Sequence, residues 1–233
     1  MSLFKTQTLT CPNCLTQNTA QVVGSINADR RPDYRDAILA GNFQDTTCEN
    51  CGTSFRNEPD FTYLDMGRGQ WIAALPARTM IDFLDEETRA KDTFDHSFGG
   101  RATPQAKTIG ADLTARVTFG WPGLREKILI NDLGLDDIAL ECMKTDLIRR
   151  LDSVPMAPGI ELRLIGLEDS RMQLAWINAL TEQGIEELAL DRALYDAIAE
   201  ESDGWSPVQA ELTKGLFVDM TRLYMGNGRA AAE

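Results

Sequence analysis

Cys11-Pro12-Asn13-Cys14 and Cys48-Glu49-Asn50-Cys51-Gly52 are the residues best suited to chemistry in this 233-residue chain. A Cys-x-x-Cys turn delivers two sulfurs to adjacent corners of a tetrahedron, and two such turns close it. The pattern is that of a four-thiolate zinc site. A rubredoxin-like iron would use the same ligands, and the spacing leaves that metal open. Catalytic zinc keeps one position free and often uses histidine or carboxylate, whereas four cysteines fill every corner. The expectation is one closed, structural ion held by Cys11, Cys14, Cys48 and Cys51, with no catalytic residue assigned. Thioredoxin-type exchange fits poorly, because neither pair opens a helix after a long strand.

The remaining reactive residues carry weaker signals. Cys142 falls mid-helix between Glu141 and Met143, where a buried inert thiol is expected. His96 is the single histidine, within Asp95-His96-Ser97. Three consecutive residues do not converge on one reacting atom, so a nucleophilic triad is not expected there. Asp136, Asp137 and Glu141 could form a carboxylate cluster, but Asp at a helix start is what capping and the macrodipole favour. An enzyme with a cleft site built on Asp136, Asp137 or His96 is the lesser alternative, and it requires those side chains to converge.

The elements that position these residues follow from periodicity. Strands are expected over 3–9 and 19–26, flanking the first cysteine turn. Pro32 at a first helical position and Gly41 at the C-terminal cap bracket a short helix, which accounts for the long gap between the cysteine pairs. A hairpin over 61–66 and 70–75 and a helix over 77–87 follow. Residues 88–112 read as a loop or linker, because Gly99-Gly100 and Pro104 break any period. A strand over 113–119 precedes helices over 124–131 and from Asp136 onward. A second hairpin spans 160–167 and 172–177, a helix 186–201, and a last helix starts at Ser206-Pro207 and carries Val208, Leu212, Leu216, Met220 and Leu223. The four tryptophans are expected to anchor cores or seams, with Trp121 a candidate for an exposed partner surface. The tail over 228–233 should fray.

Charge bounds the partners. The formal net charge is −13, and residues 123–233 carry eleven Lys/Arg against twenty-one Asp/Glu. Phosphate neutralisation needs a positive face. Nucleic acid is therefore an alternative that rests only on a small patch from Arg30, Arg31, Arg35, Arg56 and Arg68. No run reaches the roughly 20 apolar residues of a membrane span, and the first residues lack a secretory core. A cytoplasmic address is expected, with thiols kept for metal rather than disulfides.

Cys11-Pro12-Asn13-Cys14, Asp33-Tyr34-Arg35-Asp36-Ala37-Ile38-Leu39-Ala40-Gly41, Cys48 and Cys51-Gly52 together resemble the CpXC family of small bacterial and archaeal domains. Arg116-Val117-Thr118-Phe119-Gly120, Leu124-Arg125-Glu126-Lys127-Ile128 and Gly134-Leu135-Asp136-Asp137 extend the likeness over roughly the first two-thirds of the chain. The second turn lacks the proline of the first, which only stiffens the loop. The resemblance implies a zinc-ribbon fold and a metal site, with no reaction attached. The expected fold is α+β: a zinc-ribbon module with a helical insertion over 1–87, the linker over 88–112, and a mainly helical part with a small sheet over 113–233. The expected function is a non-enzymatic scaffold for a protein partner, and the sequence leaves the oligomeric state open, a homodimer through the later helices included.

Overall fold

Alternating apolar residues build a first sheet that the two cysteine turns sit beside. The computed structural model describes residues 3–155 and 157–226. Strands β1 (Leu3–Thr10) and β2 (Gln17–Asn27) pair antiparallel across the first turn, Thr10 opposite Gln17. Helix α1 (Pro32–Leu39) has Pro32 in its first turn, and Gly41 takes a φ of +74° just beyond its end. The short strands β3 (Asp45–Thr47) and β4 (Ser54–Arg56) then pair across the second turn. Next come β5 (Phe61–Asp65), parallel to β2, and β6 (Gln70–Leu75), antiparallel to β5.

The expected linker over 88–112 is instead mostly helical. After a 3-10 turn at Ala77–Asp82, α2 (Phe83–Ser97) and α3 (Pro104–Ala111) form the crossover to β7 (Thr114–Phe119), which lies parallel to β6. A parallel pair needs such a crossover. The glycines and proline that suggested a loop occupy the joint between two helices: Phe98 ends α2, and the Thr103 hydroxyl caps α3 at Ala106 N. Phe94 of α2 packs against Trp71 at a centroid distance of 5.3 Å. The finished sheet is mixed, in the order β1-β2-β5-β6-β7.

Helix α4 (Gly120–Asp132) begins directly from β7, so Trp121-Pro122-Gly123 forms its first turn, ahead of the helix start expected at 124. Gly120 has a φ of +72°, and a Cβ there would meet Ala179 O at 3.1 Å. Trp121 is buried and donates to Asn57 O at 2.9 Å, so it is no exposed partner surface. Asp136 caps α5 (Asp137–Arg150) as expected, its Oδ1 accepting from Ala139 N at 2.7 Å.

The last third is more sheet-rich than its sequence suggests. Strands β8 (Ile160–Glu168), β9 (Arg171–Asn178) and β10 (Gly184–Asp191) form an antiparallel sheet with β9 in the centre. The helix expected over 186–201 is therefore shortened to α6 (Arg192–Glu200). Glu, Leu and Ala favour a helix there, but pairing with β9 overrides that preference while Leu188 and Leu190 pack on the core. Helix α7 (Ser202–Leu212) starts before the expected capping box and holds Pro207 inside it. The long last helix is also broken. Leu216 O accepts from Val117 N at 2.9 Å, and only α8 (Arg222–Met225) resumes. The tail over 228–233 lies outside the described residues.

Three cores result. Val23, Ile38, Tyr63, Ile72, Trp121 and Ile128 fill the space between the first sheet and α1 and α4. Trp71, Phe83, Val117, Phe119 and Phe217 cover its other face. A third core, including Leu140, Met143, Leu164, Leu174 and Trp176, joins α5 to the second sheet, α6 and α7. The architecture is mixed α/β with three sheets.

Candidate metal centre

Two turns of the same design bring the four cysteines together. In the first, Leu15 N donates to Cys11 O and Cys11 N to Thr16 O, at 3.0 and 2.9 Å. In the second, Gly52 N donates to Cys48 O and Cys48 N to Thr53 O, both at 2.9 Å. Leu15 and Gly52 hold equivalent positive-φ positions, +61° and +71°. Glycine fits that conformation freely, whereas leucine adopts it against its Cβ.

The sulfurs meet across the two turns. Cys11 Sγ lies 3.7 Å from Cys51 Sγ, Cys14 Sγ 3.6 Å from Cys48 Sγ, and all four lie within 4.8 Å of one another. A tetrahedron with metal–sulfur bonds of about 2.3 Å has edges of about 3.8 Å, so these sulfurs fit a zinc ion. Every described cysteine is free of disulfides.

Neutral donors surround the cluster in a matched pattern. Asn13 Nδ2 reaches Cys51 Sγ and Asn50 Nδ2 reaches Cys14 Sγ, each at 3.6 Å, so each turn's asparagine serves the other turn. Thr16 and Thr53 hydroxyls lie 3.3 and 3.2 Å from Cys14 and Cys51 Sγ. Buried Asn18 places Nδ2 3.6 Å from Cys48 Sγ and accepts from Glu49 N at 2.9 Å. The Thr16 hydroxyl is the leading cause that draws the Cys14 thiol down to about 5, and Thr53 likewise lowers Cys51. These residues escape a search for ligands. The signal was available all the same, because Cys-x-Asn-Cys-x-Thr occurs twice, at 11–16 and 48–53.

A family model described as CpXC protein matches residues 9–144, which covers both cysteine turns and the first sheet's β2 to β7. The chain belongs to the CpXC family. Comparison with curated proteins and with solved structures gives no match.

Outside the cysteine cluster, the CpXC region contributes to a buried ionic network that no sequence signal announced. Lys144 Nζ lies 2.8 Å from Glu126 Oε1 and 2.9 Å from Glu141 Oε1. Arg163 donates to Glu126 at 2.8 Å, to Asp219 at 2.5 Å and to Glu161 at 2.6 Å. Lys127 and Arg116 both hold Asp137, at 2.9 and 2.7 Å. Burial pushes Asp137 up, but the Lys127 and Arg116 charges outweigh it and hold the carboxyl well below its usual range. Burial leads the causes that raise Glu141 to about 7, against the pull of Lys144. Carboxylate oxygens of Glu126, Glu141 and Asp219 lie within 4.8 Å of one another, a spacing that could suit a cation. Lys144 and Arg163 already supply that positive charge, so a second cation would be repelled.

The other residues singled out by sequence do not gather. His96 is exposed on α2, its Nδ1 3.1 Å from Asp92 O of its own helix. Asp136 is engaged as a cap and Asp137 as an ion-pair partner, so no acid–base constellation with His96 forms. Cys142 is fully buried, and that burial raises its thiol to about 11. Of the candidate basic patch, Arg31 pairs with Asp33, Arg35 with Asp132, Arg56 with Glu182 and Arg68 with Asp65. Four of the five arginines of that patch thus have an acidic neighbour. Among the described residues, no helix is long and apolar enough to cross a membrane.

Proposed function

We propose that this protein carries one structural zinc ion in a ribbon-like N-terminal module and acts as a non-enzymatic cytosolic scaffold for a protein partner. The observation that carries the reading is the sulfur geometry: four corners at zinc-compatible spacing, all cysteine sulfur, with asparagine and threonine donors around them. When bound, zinc supplies a crosslink between two distant loops, and binding free energy becomes folding free energy. Thr16, Thr53, Asn13, Asn50 and Asn18 offset the thiolate charge and orient the sulfurs. Leu15 at the tip of the first turn, beside the cluster, is 75% exposed. An exposed apolar side chain at the tip of the turn supports a contact point for a partner.

Metal analysis of the purified protein tests the site. One equivalent of zinc is expected, and Cys11→Ser should lose it. A full equivalent retained by Cys11→Ser overturns the site, and a full equivalent of iron overturns the choice of metal. For the surface, Leu15→Asp should abolish partner capture while leaving the metal content unchanged; capture that survives Leu15→Asp removes this face from the reading.

A further inference from the structure

The β9–β10 turn inserts a carboxylate between two arginines of the CpXC region. Glu182 Oε1 accepts from Arg56 Nη2, and Glu182 Oε2 accepts from Arg125 Nη1 at 2.5 Å. Arg56 ends β4, beside the second cysteine turn, and its guanidinium lies over the Trp121 ring at 4.7 Å. Its side chain is only 10% exposed, yet Nη1 is buried with no partner. A buried guanidinium donor left unused is costly, so the site has capacity that Glu182 does not fill.

Two further features set this apart from an ordinary ion pair. Glu182 has a φ of +59°, a conformation that L side chains rarely adopt, and the turn enforces it. Asn178 ties the turn, its Oδ1 accepting from Leu180 N and Thr181 N and its O from Glu182 N. Beside the arginines lies an open, mostly polar surface cleft, whose lining includes Gly41, Asp45, Ser54 and Thr181 as well as Leu39 and Phe55. Functional contacts are where strained backbone tends to be kept.

We propose that Arg56 and Arg125 form a carboxylate-binding seat, that Glu182 is its built-in occupant, and that an external carboxylate takes its place. Charge favours a carboxylate over a phosphate. Asp45 Oδ1 already stands 4.0 Å from Arg56 Nε, so one further negative charge balances the two guanidiniums and a dianion overshoots. The open cleft leaves room for the body of the ligand. This site stands independently of the zinc reading.

The test is carboxylate binding by the metal-loaded protein, followed by calorimetry and by the NMR shift of the arginine Nε–H groups. Glu182→Ala should bind propionate at least about tenfold more tightly than the unaltered protein, because a tethered carboxylate competes at an effective concentration in the millimolar range. Adding Arg56→Gln or Arg125→Gln should abolish that gain, and chloride should not reproduce it. If Glu182→Ala does not fold, Glu182→Gln keeps the side-chain volume and carries the same expectation. A tetrapeptide with a free C-terminus that outcompetes propionate assigns the ligand to a chain end, and the reverse order to a small organic acid. Equal affinity with and without Glu182, or a gain that persists with Arg56→Gln, overturns the seat.

Discussion

Three of the four sulfurs, those of Cys14, Cys48 and Cys51, have a neutral side-chain donor close by, and short-range pattern supplies most of them. Asn13 and Asn50 sit one residue before their second cysteine, and Thr16 and Thr53 two residues after it, so each turn's threonine serves its own sulfur and its asparagine the other turn's. Asn18 breaks the symmetry. It is buried, and it joins Cys48 Sγ to the Glu49 backbone from a strand that neither turn contains. Such outer contacts hold ligand geometry, and their loss typically weakens metal binding about 10–100-fold. Asn18→Ala should show a loss of that order in a chelator competition, with the fold retained by far-UV circular dichroism. An unchanged chelator midpoint would show that Asn18 only packs.

At the scale of elements, local signals hold where local chemistry decides the outcome. Pro32 and Gly41 bracket α1, Asp136 caps α5, and the β8–β9 hairpin turns at Asp169-Ser170. Both turn residues have positive φ, 47° and 63°, as a two-residue turn of the right twist requires. Serine holds that conformation at a cost of about 1 kcal/mol that glycine avoids, partly offset by glycine's freer unfolded chain. Ser170→Gly should therefore raise the urea midpoint by an amount equivalent to about 0.5 kcal/mol with an unchanged slope. A lowered midpoint would mean that the serine side chain supports the turn. Signals fail where a distant partner decides. The β10 segment reads as helix until β9 pairs with it, and the Leu216 stretch reads as helix until β7 takes its carbonyl.

Over the whole molecule, buried charge joins the CpXC region to the later third. Glu126 of α4 and Glu141 and Lys144 of α5 meet Glu161 and Arg163 of β8 and Asp219 from the segment between α7 and α8. Removing one partner of such a network leaves an uncompensated charge in the core, typically at about 3–5 kcal/mol. Lys144→Ala should lose stability of that order in denaturant unfolding. A loss below about 1 kcal/mol would show that the remaining charges re-pair or that water enters. The network also fixes where the second sheet sits, because Glu126 Oε1 accepts from Leu164 N of β8 at 2.6 Å. Glu182 provides another link across the same join.

The residues alone determined the four sulfurs, the strands on either side of the first turn, the caps of α1 and α5, and the likeness to the CpXC family. Spacing within a few residues sets each of these, and the chain carries that spacing wherever it folds. Only the tertiary structure decided that residues 88–112 are largely helical, that β10 is a strand, and that six buried ionisable groups from α4, α5, β8 and the segment before α8 meet in one interior. Asp191 of β10 pairs with Arg171 of β9, and Arg163 meets Asp219 from 56 residues further along the chain. Pairing and desolvation act through space, and no period along the chain records them.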